Sequence, residues 1–194
     1  MICAIVLAAG RSTRMGAQKL LLPFGRSTIL GEVVHALSVP EVSRTFVVTG
    51  PDGAVARALA GRNVSVVTNP NAESEMLDSV RRGLRALPPD CEAVLVTPGD
   101  LPRLTPDLVR VLISAFRGSG KGIAVPVFAG RRGHPLLFST RYVAEVLAQY
   151  HDVGLRGLPR AHADDVLEVT VTDRSVLSDV DTPEDYERER QSEI

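Results

Sequence analysis

Apolar residues along this chain gather into short, nearly continuous runs, separated by stretches in which they recur every three or four positions. The runs Ile2–Ala8, Thr45–Thr49, Val64–Thr68, Ala93–Thr97, Gly122–Val127, Pro135–Ser139 and Val166–Thr170 predict strands. Several are apolar nearly throughout, as strands covered on both faces are. Between them Ile29, Leu30, Val33, Val34 and Leu37 share one helical face, and Ser27 is the expected cap. Met76–Leu87, Leu108–Phe116 and Tyr142–Ala148 predict further helices. Thr105-Pro106 and Thr182-Pro183 each read as an N-cap followed by proline in the first turn. The alternation predicts an α/β fold, a doubly wound, mostly parallel sheet with helices on both faces. Ligands in such folds sit beyond the carboxyl ends of the strands, which points to the loops after Ala8, Thr68 and Thr97.

Composition narrows the partners. With 194 residues, 44% of them hydrophobic, residues 1–194 read as one domain with a full core. A net charge of −1, no Trp, five Phe and three Tyr supply neither a basic face nor stacking platforms, so nucleic acid is not expected. The apolar opening Met1–Ala9 falls short of the roughly 20 residues that span a bilayer, so no membrane partner is expected. It also lacks the charged leader of a signal peptide. Cys3 and Cys91 have no CxxC spacing and read as buried reduced thiols, which suits the cytoplasm. The charged stretch after Tyr186 reads as a fraying helix end.

Chemistry first shows in the segment LAAGRSTRMGAQK, Leu7–Lys19. It holds two glycines, three cations and no acid, and the first acidic residue of the chain is Glu32. A glycine-containing turn after a strand brings backbone N–H groups up to phosphate oxygens without a side chain in the way, and Gly10 and Gly16 bracket this one. It matches neither the Walker pattern nor the dinucleotide fingerprint. Of 22 basic residues only Lys19 and Lys121 are lysine, and a compact point charge suits a phosphate contact. A solvated basic turn fits the same composition equally well. Gly118-Ser119-Gly120-Lys121-Gly122 follows a helix and precedes a strand, the reverse of a phosphate loop, and reads as an ordinary turn.

The longer segment LAAGRSTRMGAQKLLLPFG resembles the signature LAAGxSxRMGxxKxLLPxG of the nucleotidyltransferases of the molybdopterin-cofactor type. The likeness continues in order through NP at 69–70, GDLP at 99–102, GRRGHPLLF at 130–138, DVGLR at 152–156 and DVDTPEDYE at 179–187, and so covers essentially the whole chain. Ala8-Ala9 resembles the molybdenum cofactor cytidylyltransferase family, whose guanylyltransferase relatives usually carry LAGG there. The resemblance implies a Rossmann-like nucleotidyltransferase fold. It also implies a cytoplasmic enzyme that transfers CMP from CTP to a molybdopterin-type cofactor and releases pyrophosphate, with Mg²⁺ as cofactor and a molybdenum hydroxylase as partner.

Asp100 follows its strand through Pro98-Gly99 and is expected at the strand's carboxyl end. Mg²⁺ takes one or two carboxylates together with phosphate oxygens and waters. The resemblance maps the metal-binding aspartates onto Asp100 and Asp181. Asp179 remains open as a competitor, and Asp181 could instead serve the following helix N-terminus. The catalytic residues so implied are Lys19, Arg14 and Asp100. The nucleotide contacts are Leu7, Ala8, Ala9, Gly10, Arg14, Gly16, Lys19, Asn69, Ser79 and Asp100, with Ser79 equally suited to cap its helix. Acceptor contacts fall on Glu75, Leu101, Arg132 and His134. An acceptor phosphate is already ionised at neutral pH, so no general base is required, and His35, His151 and His162 read as surface or helix positions. The chain departs from the family pattern at Glu75, where a glycine is common, and at Leu101, where the cytidylyl branch has glutamine. These departures leave two other readings open: another phosphorylated acceptor (a sugar, polyol or small acid), or a non-catalytic carrier of the nucleotide cofactor for a partner dehydrogenase.

Overall fold

The computed structural model describes residues 1–10, 18–71 and 75–191. Its strands are β1 (Ile2–Ala8), β2 (Pro23–Phe24), β3 (Ser27–Thr28), β4 (Val42–Thr49), β5 (Ser65–Thr68), β6 (Ala93–Pro98), β7 (Ile123–Phe128), β8 (Arg131–Arg132), β9 (Leu136–Ser139) and β10 (Val166–Thr170). Its helices are α1 (Ile29–Ala36), α2 (Ala54–Ala58), α3 (Met76–Arg85), α4 (Pro106–Ser119), α5 (Val143–Ala148), α6 (Gly157–Ala161) and α7 (Pro183–Gln191).

Side chains alternate across each buried strand with a period of two. On β1, Ala4, Val6 and Ala8 enter one core cluster, and Cys3 and Ile5 enter another. On β6 the same split separates Ala93 and Leu95 from Val94 and Val96. The first cluster is closed by α1 and α4, through Ile29, Val33, Leu108 and Leu112 among others. The second is closed by α3, α5 and α6, through Leu77, Val80, Val146 and Leu158. Burial on both faces is why these strands carry no polar alternation to read. Cys3 and Cys91 lie in the second cluster as free thiols, and burial pushes the Cys3 thiol up to about 12, with Cys91 beside it adding to the rise.

The large sheet runs in the order β10-β7-β9-β6-β1-β4-β5, with β8 paired to β7. β1 pairs in parallel with both β4 and β6, as do β4 with β5 and β10 with β7. β9 is antiparallel to β6 and β7, and β8 to β7, so the sheet is mostly parallel as expected. From β1 the chain moves outward through β4 and β5, then returns to β6 on the other side. The strand order therefore reverses between β1 and β6, the point where such sheets open a crevice at their carboxyl ends.

Some local expectations shift. Thr28, not Ser27, caps α1, its Oγ1 accepting from the Gly31 N–H at 3.1 Å. Ser27 lies in the β2–β3 hairpin and accepts from Arg62 instead. Thr105 caps α4 as expected, and the helix runs on to Gly120, whose φ of 69° glycine adopts without strain. The last helix is anchored rather than frayed. Glu189 is 1% exposed and forms ion pairs with Arg103, Arg174 and Arg188. No helix among the described residues is long and apolar enough to cross a membrane.

Candidate active site

Three chain segments converge where β1 and β6 end. The first carries a 3-10 turn, Lys19–Leu21, pinned by the buried Leu20. β6 ends beside β1, with Leu7 in register with Pro98. The Gly99 N–H then donates to the Leu7 carbonyl at 2.9 Å. A Cβ on Gly99 would lie 3.0 Å from that oxygen, so glycine is what lets the chain cross here. Asp100 follows directly. The third segment precedes α7, where the Val180 N–H donates to the Asp100 carbonyl at 3.0 Å.

Lys19 closes the centre. Its Nζ donates to Asp100 Oδ2 at 2.7 Å, to the Val180 carbonyl at 2.8 Å and to Asp181 Oδ1 at 2.9 Å. The Lys19 and Asp100 side chains are mostly buried, at 13% and 18% exposed, and that of Asp181 is 33% exposed. Burial by itself would lower the ammonium's pKa. The charge and hydrogen bond of Asp100, joined by those of Asp181, outweigh it and hold the pKa above the ordinary lysine value. Asp181 is left to this role because Asp185 serves the helix start. Asp185 Oδ2 accepts from the Asp181 and Thr182 N–H groups, while Thr182 Oγ1 accepts from the Asp185 N–H, a capping box. Asp179, two residues earlier, is exposed and does not share Lys19.

The donor set suits a hard divalent cation. Two carboxylates and a carbonyl oxygen face one point, and Asp100 Oδ1 is buried without a hydrogen-bond partner. An anionic oxygen left unsatisfied away from water is costly, and a cation relieves it. Among the described residues no three His, Cys, Asp or Glu side chains form a metal cluster, so such an ion would complete its shell with ligand oxygens and water.

Other expected contacts divide. Leu7 and Ala9 are half-buried, Ala8 is buried, and Gly10 is exposed with open space where a Cβ would stand, which leaves its backbone approachable. Arg14 and Gly16 lie outside the described residues. Asn69 and Ser79 are buried against each other rather than open to a nucleotide. Asn69 Nδ2 donates to Ser79 Oγ at 3.0 Å, and Asn69 Oδ1 accepts from the Asn71 N–H at 3.1 Å. They fix the entry to α3, and Ser79 is not its cap. Leu101 is 1% exposed and offers an acceptor no surface, because the side chain after Asp100 turns into the core. Arg132 is held by Glu168 at 2.7 Å, on the β8–β10 side of the sheet. Glu75 stands exposed at the N-cap position of α3, with no capping bond from its side chain.

His134 is exposed, yet protein surrounds it closely enough that desolvation lowers its pKa, against the opposing charges of Asp100 and Asp179. The Gly133-His134 turn is fixed by two hydrogen bonds, Gly133 N–H to the Pro126 carbonyl and His134 N–H to the Val176 carbonyl. Any side chain on Gly133 would collide with that Val176 carbonyl. Sequence reasoning missed the Val180 carbonyl, since a backbone acceptor carries no residue-type signal. It also missed the Glu189 cluster, because nothing in the run of charges around it marks one glutamate as buried.

A lysine and two aspartates gathered at the switch point of a doubly wound sheet suit phosphate chemistry, and the proteins this chain resembles are α/β nucleotidyltransferases. Residues 4–166 match the model of the MobA-like NTP transferase domain, and the chain belongs to that family. It is 31% identical to the molybdenum cofactor cytidylyltransferase of Escherichia coli, covering 100% of this chain and 98% of that protein. The crystal structure of Rv0371c from Mycobacterium tuberculosis superimposes with a TM-score of 0.87 at 31% identity, over 98% of this chain and 97% of that one. A second structure of that protein is a complex with manganese, at a TM-score of 0.81 and 30% identity over 98% of both chains. The chain is also 30% identical to the 2-C-methyl-D-erythritol 4-phosphate cytidylyltransferase of Escherichia fergusonii, over 92% of this chain and 78% of that protein. This chain is a nucleotidyltransferase.

Proposed function

We propose that residues 1–194 act as one domain that transfers CMP from CTP to a molybdopterin-type cofactor and releases pyrophosphate. The observation that carries the reading is the meeting of Lys19, Asp100 and Asp181 at the end of the loop after β1. The full-length likeness to the E. coli molybdenum cofactor cytidylyltransferase supports CTP and the acceptor.

The attacking group is a phosphate oxygen of the acceptor, already ionised at neutral pH, so the chain has no proton to remove from it. The new bond forms from that oxygen to the α-phosphorus of CTP, and the bond from the α-phosphorus to the bridging oxygen of the β-phosphate breaks. What the protein supplies is position and charge. Backbone amides at Ala9 and Gly10 receive the β- and γ-phosphates, the role the family signature also gives to Arg14 and Gly16. Lys19 adds a compact positive charge where the leaving pyrophosphate develops its own. Asp100 and Asp181 would hold Mg²⁺, which when bound polarises the α-phosphate. His134, whose pKa desolvation lowers, is assigned to the acceptor side. Asn69 and Ser79 act from behind the site, bracing the entry to α3 through their mutual hydrogen bond.

One observation favours a second acceptor. Glu75 puts an exposed carboxylate at the head of α3, a departure from the family pattern that leaves room for an acceptor other than molybdopterin. The likeness to a cytidylyltransferase of a phosphorylated polyol agrees with that alternative. The test is pyrophosphate release from each of the four ribonucleoside triphosphates with Mg²⁺, offering molybdopterin in one series and polyol or sugar phosphates in another. Release confined to CTP with molybdopterin is the expected result. Release only with a phosphorylated polyol would transfer the reading to the second acceptor, and nucleotide binding without any pyrophosphate would mark a carrier.

A further inference from the structure

The ammonium of Lys19 lies between the same carboxylates that would hold the metal. We infer that Lys19 is a resident counter-ion which must leave the Asp100–Asp181 pair before a divalent cation can enter it. The inference rests on the metal assignment of the preceding subsection and concerns how that site is loaded.

The geometry is specific. A lysine ammonium has three N–H donors, and Nζ here reaches three acceptors at 2.7, 2.8 and 2.9 Å. Those acceptors are one oxygen from each aspartate and one backbone carbonyl, all hard oxygens of the kind Mg²⁺ takes at about 2.1 Å. Nitrogen and metal cannot share that space, and two cations so close would repel strongly away from bulk water. The exchange is structurally open. Lysine carries its charge on a flexible four-carbon stem, whereas the aspartates are fixed from behind, Asp100 by Gly99 against β1 and Asp181 by the Asp185 capping box. A triphosphate arriving at the amides after β1 offers the displaced ammonium new anionic partners, so metal and nucleotide each favour the same displaced lysine. Their binding is then coupled, and the coupling is reciprocal. Without nucleotide, Lys19 keeps the carboxylates neutralised and the metal weakly held.

The consequence runs against intuition: removing a residue needed for turnover should improve metal binding. Manganese(II) alone, titrated at neutral pH without nucleotide or acceptor and followed by the paramagnetic resonance of the free ion, reads this directly. Lys19→Met is expected to bind between about 5- and 150-fold more tightly than the unsubstituted protein, the usual range of a coupling of this kind. Adding Asp100→Asn to that variant should cancel the gain. Lys19→Gln serves as a second test should the methionine variant fail to fold, with circular dichroism checking both. Binding that is unchanged or weaker in the folded lysine variants would overturn the inference, and so would a gain that survives Asp100→Asn. Because no turnover is measured, an absence of pyrophosphate release with every acceptor would refute the proposed reaction alone and leave the ion exchange standing.

Discussion

Asp179 and Asp181 show what a sequence can and cannot settle at the level of single residues. Both stand before the Thr182-Pro183 helix start, and either fits a hard-cation ligand by type and place. What separates them is the Asp185–Thr182 capping box, which takes over the helix start and leaves Asp181 facing Lys19 at 2.9 Å. Asp179 stays exposed and reaches the centre only as a charge felt by His134. Asp181→Asn is therefore expected to slow pyrophosphate release by about 100-fold or more, the usual effect of deleting one electrostatic group at a reacting phosphate or acyl centre. Asp179→Asn should change it by less than about tenfold. Steady-state rates at saturating CTP compare the two, and the reverse order would return the metal to Asp179. Asn69, Ser79 and Leu101 carry the opposite lesson. Their types suit ligand contacts, but each is buried in the fold, and residue type alone does not report which way a side chain turns.

Among the elements, long buried strands and capped helices were legible because hydrophobic periodicity and Thr-Pro caps are local signals. Seven predicted strands correspond to β1, β4, β5, β6, β7, β9 and β10. The five-residue helices α2 and α6 and the two-residue strands of the hairpins were not, since one turn of helix has no period to detect. The antiparallel course of β9 also escaped, because a strand buried on both faces reads the same in either direction. Two carboxylates fasten the end of the molecule built from α5, α6 and β10. Glu145 accepts from Tyr150 and lies 2.9 Å from His162, and Asp165 accepts from Tyr142, Arg141 and the Gly122 N–H. The Tyr150 hydrogen bond, opposed by desolvation and helped by His162, holds the Glu145 carboxyl below its ordinary 4.5. Desolvation would raise Asp165, but Tyr142, Arg141 and Gly122 outweigh it and keep it below its ordinary 3.8. Both groups bind protons more weakly folded than unfolded, so their contribution is complete above those ordinary values and disappears as pH falls through the folded ones. Urea-unfolding midpoints should start to fall as pH drops below 4.5 and continue to fall below 3.8. Glu145→Gln, which keeps an acceptor for Tyr150, should flatten that fall, and an unchanged slope would show that this pairing contributes nothing.

For the molecule as a whole, a net charge of −1 hides a strongly uneven layout. The sequence from Leu7 to Lys19 holds three cations and no acid, and acids come to Lys19 from the end of β6 and from the segment before α7, positions 81 and 162 residues away. The fold class and the identity of the motifs were readable because each motif is local. Their convergence was not, because it depends on the strand order reversing between β1 and β6. The central claim is that this convergence is the reacting centre. Its most direct test is pyrophosphate release from CTP with Mg²⁺ and molybdopterin, comparing the unsubstituted protein with Lys19→Ala and Asp100→Asn after thermal unfolding has shown each variant to be folded. Loss of release in both folded variants, by at least about 100-fold, is the predicted result. Undiminished release in either one would contradict the account.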